Sequence, residues 1–316
     1  MSEDNGKIRE QNSVFFFSGR EEIPKPYTDF YVSMFLEDIS RGIVPVKLSS
    51  LNGEGLALEG GDDASVHKIA EAVDGQGRNY GSFEWRVSEF LRLATSEMCA
   101  FDQATFEIAY LQDPITHKID DFVFFHIDNR QIKRRWGRLY QAVPNDVARD
   151  KEVGTMIKLP PEQMLIFSLP NPLKREIRNL RRDLTRLSEN RLGVNFLEMS
   201  NAVSNYDFKT HERALNTALA QCCARVGWDA RGSFREQTSS YMTVYTFLKW
   251  QLFQMKIRKV VVGLLNEALD RVRAKISLKG RIVLKDAPSF EKIMLALGDL
   301  TAGRDTFIEI MDRFNQ

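Results

Sequence analysis

Residues 171–187 read NPLKREIRNLRRDLTRL, and here the chain changes from short strands to long helices. Apolar residues recur in this stretch at spacings of four and three, the pattern of a helix with one apolar seam; they are Leu173, Ile177, Leu180, Leu184 and Leu187. Asn171 suits an N-cap, and Pro172 suits the first helical position, where its missing N–H costs nothing. The pattern predicts a helix that extends to about Asn190.

Basic side chains surround this seam, against only two acidic ones, Glu176 and Asp183. The candidates for contact with a nucleic acid or a channel are Lys174, Arg178, Arg181, Arg182 and Arg186. Such residues either bind phosphate in a salt-sensitive, non-specific way or pair with carboxylates of neighbouring subunits. The seam itself is a candidate for packing between helices or between subunits.

The totals indicate a globular protein that can bury a core, with 316 residues, 43% hydrophobic and 28% charged. Because the formal net charge is only +1, any basic surface has to arise from local segregation of charge. Three cysteines without metal-ligand spacing indicate a reduced, intracellular chain. Lysines and arginines interrupt the apolar-rich region 241–272, so we expect a soluble protein and no membrane partner.

Upstream of the seam, the apolar period changes at about residue 104. Residues 83–101 have helical spacing, whereas 104–170 alternate in strand fashion around turns and predict a mostly β segment that opens with a hairpin. Before these segments, 1–13 are predicted to be a disordered tail and 53–65 a flexible acidic loop.

Downstream of the seam, the chain is predicted to be helical almost to its end. The longest helix is predicted at about 239–276, and its apolar residues lie on several faces, which is typical of burial among neighbours or between subunits. Its subunit-interface candidates are Trp250, Phe253 and Ile257. A closing strand and two short helices around Gly303 complete an α+β chain.

A second basic segment, RQIKRRWGRLY, begins at Arg130. It carries Arg130, Lys133, Arg134, Arg135 and Arg138 around Trp136 and Tyr140. Basic residues interleaved with aromatic ones grip phosphates and stack on bases. An equally weighted interpretation is a charged loop whose arginines pair with neighbouring carboxylates.

Motifs of catalysis are absent from the sequence: there is no P-loop, no G-x-G-x-x-G and no G-x-S-x-G. We therefore predict no catalytic residue, no metal, no cofactor and no enzyme activity. A weaker hypothesis is a metal-dependent enzyme, with a site formed by Asp120, Asp121, His126 and Asp128.

The order of several segments carries a resemblance. ATSEMCAFDQATFEIAYLQD is similar to a helix that runs into a strand, and DDFVFFHIDNRQI, GRLYQAV and KLPPEQMLIFSL are similar to the strands that follow it. Later, the long helix around FLKWQLFQMKIRKVVVGLLNEAL leads to GRIVLKDAPSFEKIMLALGDLTAGRDTFIEIM. Over roughly 85–312 this order resembles the portal proteins of tailed bacteriophages, the head–tail connectors through which viral DNA enters and leaves the capsid.

The resemblance implies a short, ring-forming portal subunit without catalysis. Its implied parts are an N-terminal arm with flexible loops (1–82), a wing-like α/β region (83–170), a stem helix with a reduced clip-like region (171–238), and a long helix, strand and C-terminal helices (239–316). The implied assembly is a dodecamer at the capsid vertex of the virion, put together in the host cytoplasm. Implied partners are the major capsid protein, the terminase motor, a head–tail adaptor and double-stranded DNA.

A rival hypothesis needs no ring. In it the chain is a soluble, monomeric or dimeric α+β protein that binds nucleic acid with two basic segments, 130–140 and 174–191. Native mass separates the two hypotheses.

Overall fold

The fold is α+β, with small antiparallel sheets among long helices, as the sequence predicts. A computed structural model describes residues 8–14, 25–44, 55–74, 81–192, 208–233, 239–285 and 288–315. The reduced clip-like region predicted within 171–238 lies partly outside these residues.

Helices and strands follow the sequence-based boundaries closely from residue 83 onward. The helices are α1 (Lys25–Thr28), α2 (Phe30–Arg41), α3 (Asp63–Val73), α4 (Phe83–Phe101), α5 (Asn145–Asp150), α6 (Asn171–Leu192), α7 (Phe208–Cys223), α8 (Ser240–Arg273), α9 (Phe290–Thr301) and α10 (Phe307–Asn315). The strands are β1 (Ile8–Glu10), β2 (Leu56–Glu59), β3 (Gln103–Gln112), β4 (Ile119–Ile127), β5 (Ile132–Arg135), β6 (Arg138–Ala142), β7 (Met156–Leu159), β8 (Met164–Ser168) and β9 (Arg281–Leu284).

The chain divides into two compact units, each assembled from separate stretches of sequence. Unit 1 comprises Met1–Glu22, Val44–Leu169 and Lys259–Asp286, and unit 2 comprises Ile23–Ile43, Pro170–Arg258 and Ala287–Gln316. Helix α8 contributes its first part to unit 2 and its last part to unit 1.

Unit 1 is built on a four-stranded antiparallel sheet whose central strand is β3. Strand β4 pairs with one edge of β3, while β8 and β1 share the other. Helix α4 covers one face of the sheet, and the ring of Phe90 lies 4.7 Å from that of Phe106 and 5.6 Å from that of Phe124. The helix starts at the cap Ser82 and ends at Asp102, whose left-handed φ of 70° turns the chain into β3.

Two of the strands in unit 1 contradict the sequence-based predictions. Residues 8–10 form β1, although 1–13 were predicted to be a disordered tail. Residues 56–59 form β2 and pair antiparallel with β9, although 53–65 were predicted to be a flexible loop. Both predictions were wrong because these strands are only three and four residues long and their partners lie far away in the sequence.

Unit 2 is helical, and α6 packs against α2 and α7. Asp29 caps α2 by accepting a hydrogen bond from the backbone N–H of Val32, and it accepts a second one from the Ser188 hydroxyl of α6 at 2.6 Å. The first part of α8 packs on α9 and α10 through an apolar cluster of Val244, Leu248, Ala296, Leu300 and Ile310.

Within the described part of the chain, no helix combines the length and the apolar character that crossing a membrane requires.

Candidate nucleic-acid interface

A three-stranded sheet, β5–β6–β7, carries the second basic segment predicted from the sequence. One face of this sheet carries an apolar cluster, in which Ile132, Leu139 and Leu159 pack with Ile127 and Met164. Because side chains alternate along a strand, the residues between these three point to the opposite side. We call that opposite side the outer face.

On the outer face, cationic and aromatic side chains meet in register across all three strands. Lys133 pairs with Tyr140, and Tyr140 pairs with Lys158 on its other side. One step further along the β5–β6 hairpin, Arg135 lies opposite Arg138. All four cations are exposed. Directly opposed residues have Cβ atoms about 4.5–5.5 Å apart, so the like charges of Arg135 and Arg138 repel each other unless an anion lies between them.

The tip of the hairpin presents an aromatic ring to solvent. Trp136 is 84% exposed. It has a φ of 49°, and Gly137 follows with a φ of 74°. Two successive positive φ values are typical of a two-residue type I′ turn, for which a bulky residue such as tryptophan is unfavourable. The guanidinium carbon of Arg135 lies 4.4 Å from the centre of the Trp136 ring. Burial in a core therefore does not account for an indole at this strained position.

The cations of the outer face form no ion pair with any carboxylate of the described residues. This holds for Lys133, Arg135, Arg138 and Lys158. Among the described residues, the charge of the outer face is therefore not neutralised by neighbouring carboxylates. This fits the first of the two interpretations of the segment, in which its cations bind phosphate.

Two of the predicted residues do not join the outer face. Arg130 lies before β5, and its Nε donates to Asp128 Oδ2 at 2.9 Å. Burial raises the pKa of Asp128, but the hydrogen bonds and charge of Arg130 outweigh it and leave that pKa lowered. Arg134 is exposed, but strand alternation places it on the face opposite to Lys133 and Arg135.

Lys158 was missed by the sequence analysis. It lies in MIKL, four residues whose alternation places Ile157 and Leu159 on one face and Met156 and Lys158 on the other. The alternation was visible in the sequence, but the pairing of β7 with β6 was not. That pairing is what places Lys158 beside Tyr140.

The first basic segment lies in α6, which belongs to unit 2, whereas the three-stranded sheet belongs to unit 1. Its exposed arginines are Arg175, Arg178, Arg182 and Arg186, which share one face of the helix, while Lys174 and Arg181 are partly buried. Arg182 lies close to a carboxylate, with its Nε 3.5 Å from Asp183 Oδ1. The helix is thus basic on its exposed side.

The leucine seam of α6 is already covered within a single chain. Ile177, Leu180, Leu184 and Leu187 are all buried, and Leu173 is partly buried. The helices that pack on α6 are α2 and α7. Of the two roles predicted for the seam, this burial fits packing between helices and leaves little of the seam exposed for a subunit interface.

The interface candidates on α8 follow the same pattern. Phe253 and Ile257 are buried, and Trp250 is partly buried. The ring of Trp250 lies 5.8 Å from that of Phe253 and 6.1 Å from that of Phe35 in α2. These side chains therefore contribute to the core of unit 2.

The residues of the metal hypothesis do not come together. On β4, Asp121 pairs with Leu111 and His126 with Phe106, positions that point to opposite faces of the sheet. Asp128 is paired with Arg130, and His126 Nε2 lies 3.7 Å from Glu97 Oε2. Within the described ranges, no group of three or more potential metal ligands is found.

Comparison of the chain with protein-family models gives no match, and comparison with curated proteins gives none either.

Proposed function

We propose that this chain is a subunit of a ring that conducts double-stranded DNA, as its resemblance to phage portal proteins implies. The order of elements supports the proposal: α4 runs into the hairpin β3–β4, the strands β5–β8 follow, and α6 begins directly after β8. This is the order on which the resemblance was based. The implied ring would be a dodecamer at the capsid vertex.

The observation that carries the proposal is the outer face of β5–β6–β7. Lys133, Arg135, Arg138 and Lys158 form a positive surface around Tyr140, with no carboxylate paired to it among the described residues. Lysines and arginines that neutralise phosphates give strong, salt-sensitive and sequence-independent binding. A protein through which any DNA sequence passes needs contacts of this kind.

Further parts of the proposal rest on the resemblance alone. They are docking to the terminase motor and to a head–tail adaptor, contact with the major capsid protein, assembly in the host cytoplasm and a location in the virion. The chain would carry no catalysis of its own in this function.

Native mass tests the ring directly, by light scattering after size exclusion at low and moderate salt. A dodecamer has about twelve times the 36.4 kDa mass of the chain. A particle of that size supports the ring. A particle of one or two chains in both salts contradicts it.

A second candidate function is a soluble nucleic-acid-binding protein that works without a ring and uses segments 130–140 and 174–191. The exposed Trp136 favours this alternative, because aromatic side chains stack on unpaired bases. A monomer or dimer that binds single-stranded oligonucleotides more tightly than duplexes would favour this function. Tighter binding of duplexes would count against it.

A further inference from the structure

The end of the β5–β6 hairpin projects beyond the apolar cluster of its sheet. Six consecutive residues, 133–138, are all exposed, whereas Ile132 and Leu139 on either side of them are partly buried against the cluster. We call these six residues the projecting end. Three steps along β5 separate Ile132 from Arg135, and a strand rises about 3.4 Å per residue, so the projecting end extends about 10 Å past Ile132. Along this length, both faces of the two-stranded ribbon are open to solvent.

Cations occupy both faces of the projecting end. Lys133, Arg135 and Arg138 lie on the outer face, and Arg134 lies on the opposite face because side chains alternate along a strand. All four are exposed, and none of them forms an ion pair with a carboxylate of the described residues. The projecting end therefore presents positive charge in two opposite directions.

A tryptophan forms the apex of the projecting end. Trp136 and Gly137 make the turn, and Trp136 is 84% exposed. The guanidinium of Arg135 covers one face of the Trp136 ring, at 4.4 Å from its centre. The apex is left with one open ring face, an apolar edge and the indole N–H, which is a hydrogen-bond donor.

We propose that the projecting end enters the major groove of double-stranded DNA, apex first. This inference rests on the proposed function, in which the outer face binds phosphates of a duplex. On entry, the two charged faces of the ribbon lie opposite the two walls of the groove, which are lined by phosphates. Trp136 then meets the base edges at the floor of the groove, where acceptor atoms and thymine methyl groups lie.

The dimensions of the projecting end select the major groove. This groove is about 12 Å wide and about 8.5 Å deep and admits a two-stranded β-ribbon, whereas the minor groove is only about 6 Å wide. The projection of about 10 Å exceeds the depth of the major groove. The apex therefore reaches the floor before the buried part of the sheet contacts the DNA backbone.

The placement of charge favours a duplex over a single strand. A single strand that crosses the hairpin brings phosphates to one face of the ribbon, and either Arg134 or the Arg135–Arg138 pair is left without an anion. A duplex groove has two phosphate-lined walls and supplies anions to both faces. Stacking on an unpaired base needs an open aromatic face, and Arg135 already covers one face of Trp136.

Filling one groove at a time tests the proposal. The affinity of the full chain is measured for one short duplex in three forms. The first is unmodified, the second carries a glucosylated hydroxymethyl group at C5 of each cytosine, and the third carries a bulky alkyl group at N2 of each guanine. The added groups are uncharged, so the phosphates remain available, and they project into the major and the minor groove respectively.

We expect the cytosine modification to weaken binding by about tenfold or more, as the loss of base-edge contacts does, and the guanine modification by less than about twofold. Arg134→Gln should weaken binding of the unmodified duplex and reduce the penalty of the cytosine modification, since it removes one of the wall contacts. The matched control is Arg281→Gln, at an exposed arginine of β9, and it should change neither quantity.

Equal affinity for the three duplexes overturns entry into the groove but leaves the phosphate contact of the proposed function. Absence of binding to all three overturns both. A penalty from the guanine modification alone overturns the choice of the major groove. Tighter binding of the single strand than of the unmodified duplex also overturns the proposal.

Discussion

At the scale of single residues, neighbouring backbone closely constrains Gly227. Its φ is 75°, and a Cβ at this position would lie 2.4 Å from the carbonyl oxygen of Thr246 and 2.5 Å from the backbone nitrogen of Trp250. We expect Gly227→Ala to lower the free energy of unfolding by about 1–3 kcal/mol. Alanine is strained in a left-handed backbone, and its Cβ would overlap the backbone of α8. Urea denaturation measures the change.

Gly263 provides the matched control for that substitution. It lies within α8, and a Cβ there meets no atom within 4 Å. Gly263→Ala should leave stability unchanged or raise it by about 0.5–1 kcal/mol, because alanine is the better helix former. Equal losses in the two variants would contradict the packing described for Gly227.

Asp62, the N-cap of α3, is one of the carboxylates that make the fold sensitive to acid. Hydrogen bonds from the side chain and backbone of Ser65, together with Lys279, lower the pKa of Asp62 from 3.8 to about 2. A lowered folded-state pKa stabilises the fold above the unfolded-state value, and this contribution is lost as the pH falls through about 2. We expect Asp62→Asn, which keeps a cap acceptor but cannot titrate, to lose less stability than the natural chain between about pH 4 and pH 2.

Urea midpoints of both proteins at these two pH values check the prediction. The other carboxylates titrate in both proteins, so the difference between the two losses reports on Asp62. Identical losses would show that the Asp62 cap and its pairing with Lys279 contribute nothing to acid sensitivity.

The sequence predicted a second basic segment, but it did not predict which of its cations lie on the outer face. Arg130 and Arg135 look equivalent in the sequence, yet Asp128 neutralises Arg130 and leaves Arg135 at the outer face. The burial of Glu107 on β3 could not be recognised either, because glutamate in an alternating strand is more often solvated. Its hydrogen-bond donors, the backbone N–H groups of Asn12 and Ser13, lie 95 and 94 residues away in the sequence.

At the scale of elements, local periodicity predicted most helices and strands. The 3.6-residue period of apolar residues predicted α4, and the alternation of apolar and polar residues around DPITH predicted the β3–β4 hairpin. Both predictions succeeded because each pattern lies within one continuous stretch. Strand β2 was missed because its four residues, LALE, pair with β9 more than two hundred residues later. Pairing at such a distance leaves no local signal.

The seam of α6 gives a prediction at this scale. Leu184 is fully buried, and α2 and α7 pack on its helix. We expect Leu184→Ala to lower the free energy of unfolding by about 2–5 kcal/mol, because it leaves a cavity within the chain. Denaturation monitored by circular dichroism measures this loss at several protein concentrations.

Arg182→Ala serves as the control on the exposed side of α6, and we expect it to change stability by no more than about 0.5 kcal/mol. The loss in Leu184→Ala should not depend on protein concentration, since the packing lies inside one chain. If Leu184→Ala instead caused only the dissociation of an oligomer, the seam would be a subunit interface.

At the scale of the whole molecule, the compact units do not correspond to consecutive segments of the sequence. Each compact unit combines three stretches of sequence, and α8 contributes to both. The sequence-based boundaries at 82, 170 and 238 follow changes in composition and period, which are local properties. Residues 259–286 belong to unit 1 because of long-range interactions, such as the hydrogen bond that Arg271 donates to the carbonyl of Met164.

In the proposed function, the outer face of β5–β6–β7 contacts nucleic-acid phosphates. The affinity for a short DNA duplex, measured over a range of salt concentrations, tests this contact. The natural chain is compared with the Lys133→Glu/Lys158→Glu variant. The control is Arg281→Glu/Lys285→Glu, which makes the same charge change at exposed residues at and just after β9.

In the natural chain, the logarithm of the binding constant should fall linearly with the logarithm of the salt concentration. We expect the outer-face variant to bind more weakly and to reduce this slope by about two, because each of the two replaced lysines would neutralise one phosphate. The control variant should keep the slope of the natural chain. Equal slopes in all three proteins, or equal reductions in both variants, would contradict a phosphate-binding role for the outer face.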